Sequence, residues 1–144
     1  MARNATRLFT VEEANSLLEN IKPILDKLCE ESVRQEMLEV QLEEIMEEVK
    51  HDYTAALRPG WEELQLELEK NIHTVNNLTI ELGQLGIEVE DPNIGIVNFN
   101  SLRGIETVYL SYKFGEETVN FWHYLDEGYE FRKKMEKELE IITQ

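Results

Sequence analysis

Cysteine occurs once, at Cys29, so no disulfide framework can form within the chain. A lone thiol suits a reducing compartment, and the expected location is the cytoplasm. Bases are also scarce: 14 Lys and Arg stand against 30 Asp and Glu, a net charge of −16. Such a chain repels phosphate backbones, which argues against nucleic-acid binding. The densest basic cluster, Arg132, Lys133 and Lys134, has acids on either side. No apolar run approaches the roughly 18 residues of a membrane span. The basic start Met1-Ala2-Arg3 to Arg7 has no apolar core after it, so it does not read as a signal peptide. No membrane partner is therefore expected. A phosphate-cradling glycine loop, a nucleophile elbow and a Cys-x-x-Cys pair are all missing.

What remains is a chain of 144 residues, 42% of them hydrophobic, enough for one domain with a real core. The expected fold class is α+β: a long antiparallel helical hairpin over residues 11–85, a small antiparallel sheet over 87–124 and a closing helix over 127–142. Thr10 and Glu13 form a capping box at the start of the first helix. Apolar residues then recur at helical spacing through Ala14, Leu17, Leu18, Ile21, Leu25 and Leu28. The rhythm resumes at Leu38, Leu42, Ile45 and Val49, which predicts one long helix from about Val11 to Lys50. Pro23 inside it predicts a kink there or a short, separately docked first segment. After Arg58-Pro59-Gly60, a second helix is predicted from Trp61 to Leu85. Its Trp61, Leu64, Leu68, Val75, Leu78, Leu82 and Leu85 keep a nearly seven-residue, coiled-coil-like seam. Two such helices with a short join must lie antiparallel. A lone hairpin leaves one apolar flank wet, so a third layer or a second copy is expected.

At Gly86 the helix should stop, and from Ile87 the period changes to two. Strands are predicted at Gly95–Asn100, Ile105–Phe114 and Thr118–Tyr124. They make a three-stranded meander, with Ile87–Val89 as a candidate fourth, edge strand. Val119, Phe121 and His123 fall on one face of the third strand and are expected to point to the packed side. Asn120, Trp122 and Tyr124 fall on the other. Asp126 is placed to cap the closing helix.

The order of these blocks resembles a known family, catalogued as domain of unknown function 2203. Phe9-Thr10-Val11-Glu12-Glu13-Ala14-Asn15 is similar to its opening. Leu85-Gly86-Ile87-Glu88-Val89 with Asp91, Gly95-Ile96-Val97-Asn98-Phe99, Gly115-Glu116, and Trp122-His123 through Asp126-Glu127-Gly128 to Arg132 follow its pattern. The resemblance implies no activity. Two departures stand out: Ser111-Tyr112 replaces the family's usual Cys-Trp, and Asn98-Phe99-Asn100 its usual Asp-Phe-Pro.

The stretch Gly115–Arg132 concentrates candidate chemistry. His123, one of three histidines, lies near Glu116, Glu117, Asp126, Glu127 and Arg132 in the chain. A histidine among carboxylates can bind a divalent metal or act as a general base. With Arg132 it can instead hold an anion. The bland alternative is a histidine satisfied by a backbone carbonyl beside a local ion-pair network, and it is the more common outcome. Glu48-x-x-His51 has a di-metal spacing, but the second helix offers only Glu69 and His73, four apart. Glu43, Glu44, Glu47 and Glu48 read as a solvated acidic face. Cys29 beside Leu28 reads as a packing residue.

The leading functional expectation is a non-enzymatic binding or assembly protein. Its hairpin would form a homo-oligomer, and the sheet end would carry a small ligand site. The alternative is a metal- or anion-binding enzyme centred on His123, with acidic partners and Arg132. A third is an adaptor whose acidic helices dock a basic protein.

Overall fold

The computed structural model describes residues 7–57 and 60–135. Helix α1 spans Val11–His51 and helix α2 spans Trp61–Gln84, with a 3-10 turn at Tyr53–Leu57 between them. Five strands follow: β1 Ile87–Asp91, β2 Ile96–Arg103, β3 Glu106–Lys113, β4 Phe121–Tyr124 and β5 Lys133–Lys134. They pair in chain order, every pair antiparallel, as one meander.

The capping box forms as the sequence predicts. Glu13 N donates to Thr10 Oγ1 at 3.0 Å, and Thr10 N donates to Glu13 Oε1 at 2.9 Å. Val11, Ala14, Leu18, Ile21, Leu25 and Leu28 are buried along one stripe of α1. They pack with Leu82 of α2 on Ile87, Val97, Phe99, Val108, Leu110 and Trp122 of the sheet. Pro23 does not divide the helix. It sits exposed inside α1, so the backbone bond it cannot donate is lost on the solvent side, where water can serve the freed carbonyl.

The hairpin is antiparallel, because contacts rising along α1 fall along α2. Asn71 Nδ2 reaches the Glu31 carbonyl at 2.9 Å, and Arg34 pairs with Glu67. The two halves of the hairpin differ. Beyond Leu38 in α1 and before Asn71 in α2, no helical side chain is buried among the described residues. Leu42, Ile45, Val49, Leu64 and Leu68 stay half-buried there, and Met37, Val40, Met46 and Leu66 are exposed. The distal hairpin therefore stands away from the core as a two-helix arm.

Gly86, at φ +89°, turns the chain out of α2 in the left-handed region that a side chain disfavours. Before α1, Phe9 clamps the sheet. Its N–H donates to the Asn100 carbonyl at 2.7 Å, and its carbonyl accepts from Ser101 Oγ at 2.6 Å. Asn15 of α1 ties down the approach to β4: Val119 N donates to Asn15 Oδ1 at 2.7 Å.

Several sequence expectations are corrected. Among the described residues the sheet has five strands rather than three or four. The strand expected from Thr118 starts at Phe121. β2 runs through Arg103, leaving only Gly104-Ile105 as the turn to β3. The closing helix does not form as far as Met135; the remainder of that expectation lies outside the described residues. Tyr129–Phe131 is a single 3-10 turn and Lys133–Lys134 pairs with β4. Tertiary contacts override helix propensity here. Arg132 stacks on Phe121 and Tyr129, its neighbour Lys133 lies over Trp122 and Tyr124, and Met135 N donates to the Asn120 carbonyl. Sending successive side chains to different rings needs extended backbone, not a helical turn.

Candidate functional site: a buried polar cluster on the outer sheet face

Strand register sorts the side chains onto two faces. Val97, Tyr112, Phe99, Leu110 and Trp122 face the helices. Asn98, Ser111 and Phe121 form one row on the outer face, and Asn100, Tyr109 and His123 form the next. His123 thus shares a face with Phe121, as the alternation predicts, but it is not the helix-packed face. Trp122 and Tyr124 take that side because they pair with Leu110 and Val108 of the core.

His123 is nevertheless fully buried, at 0% exposure. Its Nδ1 lies 2.8 Å from the carbonyl of Tyr124. A carbonyl only accepts, so Nδ1 carries the proton and Nε2 is directed elsewhere. Nε2 faces Glu90 Oε1 at 3.6 Å, too long for a hydrogen bond. The Tyr109 ring meets the imidazole edge-on, centroids 5.5 Å apart.

Glu90 is held from two sides. Asn98 Nδ2 donates to Oε1 at 3.0 Å and Tyr129 N donates to Oε2 at 2.8 Å. Beside it, Glu88 accepts from Asn100 Nδ2 at 3.2 Å and from the Tyr109 hydroxyl at 3.0 Å. Burial pushes the Tyr109 phenol up to about 12; the hydrogen bond to Glu88 and the charges of Glu88 and Glu90 add to it. Among the described residues, Asn98 Oδ1, Ser111 Oγ and His123 Nε2 are buried on this face with no hydrogen-bond partner.

The residues predicted around His123 divide into separate groups. Arg132 and Glu116 come together, but with each other: both guanidinium Nη atoms donate to the carboxylate, Nη1 at 3.1 Å. Arg132 also lies 3.9 Å above the Phe121 ring and 4.2 Å from the Tyr129 ring. This pair fastens the segment from Gly128 to Arg132 over the outer face. Glu127 accepts from Lys133 Nζ at 3.0 Å and Tyr124 N at 3.1 Å. Those two donors hold its carboxyl below the usual range, with the Lys133 hydrogen bond the larger cause. Asp126 and Glu117 are exposed, Asp126 at an open hollow with Glu106, Thr107 and Leu125.

No group of three or more His, Cys, Asp and Glu side chains among the described residues is arranged to hold a metal ion. The neighbours of His123 that sequence reasoning missed are Glu90 and Tyr109, with Asn98 holding Glu90 in place. A signal existed. Asn98 and Ser111, where the chain departs from the pattern it resembles, are register partners on adjacent strands.

Elsewhere, His51, Glu69 and His73 are exposed. Cys29 is half-buried; desolvation pushes its thiol up, and Asp26 and Asp91 add to that. No helix among the described residues is long and apolar enough to cross a membrane.

The fold and site define an α+β protein in which a helical hairpin backs a five-stranded meander whose outer face holds a polar cluster around the buried His123. The chain belongs to the family described as Uncharacterized conserved protein (DUF2203), whose model matches residues 7–135. No curated protein and no solved structure matches the chain.

Proposed function

We propose that this is a binding and assembly protein of the cytoplasm, which pairs with a second copy through the distal half of its hairpin and carries a small-ligand site on the outer sheet face. The observation behind the assembly half is the change along α1. The stripe that is sealed from Val11 to Leu28 gives way to an arm in which no α1 residue beyond Leu38 is buried. A two-helix arm cannot enclose its own seam, and a second hairpin supplies the missing layer as a four-helix bundle. Val33, Met37 and Val40 sit at positions that return to one side of α1, so a two-fold axis can lay this stripe on its own copy.

Charge opposes the pairing. With a net charge of −16 and an acidic run at Glu43, Glu44, Glu47 and Glu48, two copies repel at low salt. Association measured by sedimentation should therefore strengthen as salt rises. A basic protein partner on the same arm is the competing occupant, and its binding would weaken with salt. A strict monomer at high concentration and high salt overturns the assembly half.

The ligand half rests on the three buried outer-face atoms without hydrogen-bond partners. Native mass spectrometry of the purified chain tests it. A bound small molecule or ion lost on changing His123 supports the site, and a bare mass counts against it.

A further inference from the structure

Three buried polar atoms of the outer-face cluster have no hydrogen-bond partner. In the neutral imidazole, Nδ1–H goes to the Tyr124 carbonyl and Nε2 is left with its lone pair. Facing it at 3.6 Å is Oε1 of Glu90, another electron-rich atom. Asn98 Oδ1 and Ser111 Oγ are also buried and unserved. Ser111 is the register partner of Asn98 on β3, the strand the imidazole crosses to reach Glu90. A buried polar atom without a partner is costly, and a cation between Nε2 and the Glu90 carboxylate would serve both.

We propose that the outer sheet face is a divalent transition-metal site, with His123 Nε2 and the Glu90 carboxylate as its protein donors. The proposal deepens the ligand half of the reading above, and the assembly half does not depend on it. A cation at about 2.1 Å from both nitrogen and oxygen would see atoms 3.6 Å apart at roughly 118°, between tetrahedral and trigonal.

The surroundings match what a ligating pair needs. A backbone carbonyl fixes the histidine tautomer so that Nε2 is free, and two N–H donors orient the carboxylate. An imidazole with oxygen donors favours zinc, cobalt or iron over calcium and magnesium, which take oxygen alone. Only two donors of the usual metal-binding types converge, so the ion is exchangeable rather than structural. Its way in is the segment held down by Arg132 and Glu116. At Gly128 an added Cβ would come within 3.3 Å of Glu90 Oε2, so the segment lies directly on the site.

Acidic surfaces collect divalent ions, so the test must report on the imidazole. Cobalt(II) is added to the full chain, and proton NMR is searched for a hyperfine-shifted, exchange-protected Nδ1–H resonance. One such resonance is expected, absent in His123→Gln. In Glu90→Gln it should need at least about tenfold more cobalt. Melting temperature confirms that each variant folds, and Glu90→Gln alone decides the matter where His123→Gln does not. A folded chain at saturating cobalt with no shifted imidazole N–H overturns the proposal. So does a resonance that survives His123→Gln, or one unchanged in Glu90→Gln. If native mass spectrometry then shows a bound non-metal ligand, the ligand site stands and only the metal falls. Sedimentation reports on the hairpin separately.

Discussion

Replacing Met37 and Val40 with glutamine tests the arm most directly. Met37 is 61% exposed and Val40 52% exposed in the single chain. Fully burying such a side chain is worth about 1.5–3 kcal/mol, so each has about 1 kcal/mol still to gain from a partner. In a two-fold pair each side chain counts twice, and the total is about 4 kcal/mol. At about 1.4 kcal/mol per tenfold, the double variant should dissociate about a thousandfold more readily. The free chain should hardly notice, since exposed substitutions move stability by about 0.5 kcal/mol or less, and glutamine keeps the helix propensity of methionine. Leu25→Ala, at 0% exposure on the sealed half of α1, supplies the contrast: about 2–5 kcal/mol of folding stability lost. Sedimentation equilibrium reads the first effect and urea unfolding the second. The reasoning fails if the double variant associates as tightly as the parent. It also fails if the variant unfolds like a core mutant, which would mean the stripe is already covered within one chain.

Further outcomes can be stated briefly. Gly95→Ala should cost more than Gly104→Ala. Both have positive φ, about 1–2 kcal/mol of strain, but the new Cβ at Gly95 falls 2.6 Å from Phe114 Cβ and at Gly104 meets nothing, so Gly95→Ala adds about 1–3 kcal/mol in urea unfolding. Burial pushes the Tyr109 phenol up to about 12, from the 10.0 of an ordinary tyrosine. Its contribution is therefore fully present below pH 10 and fades as pH rises toward 12, and Tyr109→Phe should remove part of the alkaline loss of stability. An identical alkaline profile in that variant would count against the assignment. Arg132→Gln should release the Gly128–Arg132 segment by about 1.5–3 kcal/mol, seen as at least tenfold faster amide exchange at Tyr129. Unchanged protection there would show that β5 pairing alone holds the segment.

Much of the frame is legible from local chemistry. Thr10 and Glu13 announce the start of α1, and Gly86 marks the change of period, because capping and left-handed turns depend on a few adjacent residues. The face shared by Phe121 and His123 follows from strand alternation. Which face meets the helices does not, because it is decided by pairing to Leu110 and Val108 on another strand. The closing helix misreads for the same kind of reason. The residues from Tyr129 to Lys133 have helical character in isolation, and the rings of Phe121 and Trp122 draw them out straight. Glu90 escaped notice because it lies 33 positions from His123 and two strands intervene. Only sheet order makes them neighbours.

The clamp at Phe9 bears on how the protein is made. Ser101, which closes it, is 92 positions downstream. During synthesis both helices leave the ribosome before any strand that covers them, since chains emerge from the N-terminal end. The nascent hairpin therefore waits with its whole apolar stripe bare, not only the arm. On the proposed pairing, a sister chain on the same messenger would meet that stripe before the meander arrives, and the sheet would then have to displace it from the base of the hairpin.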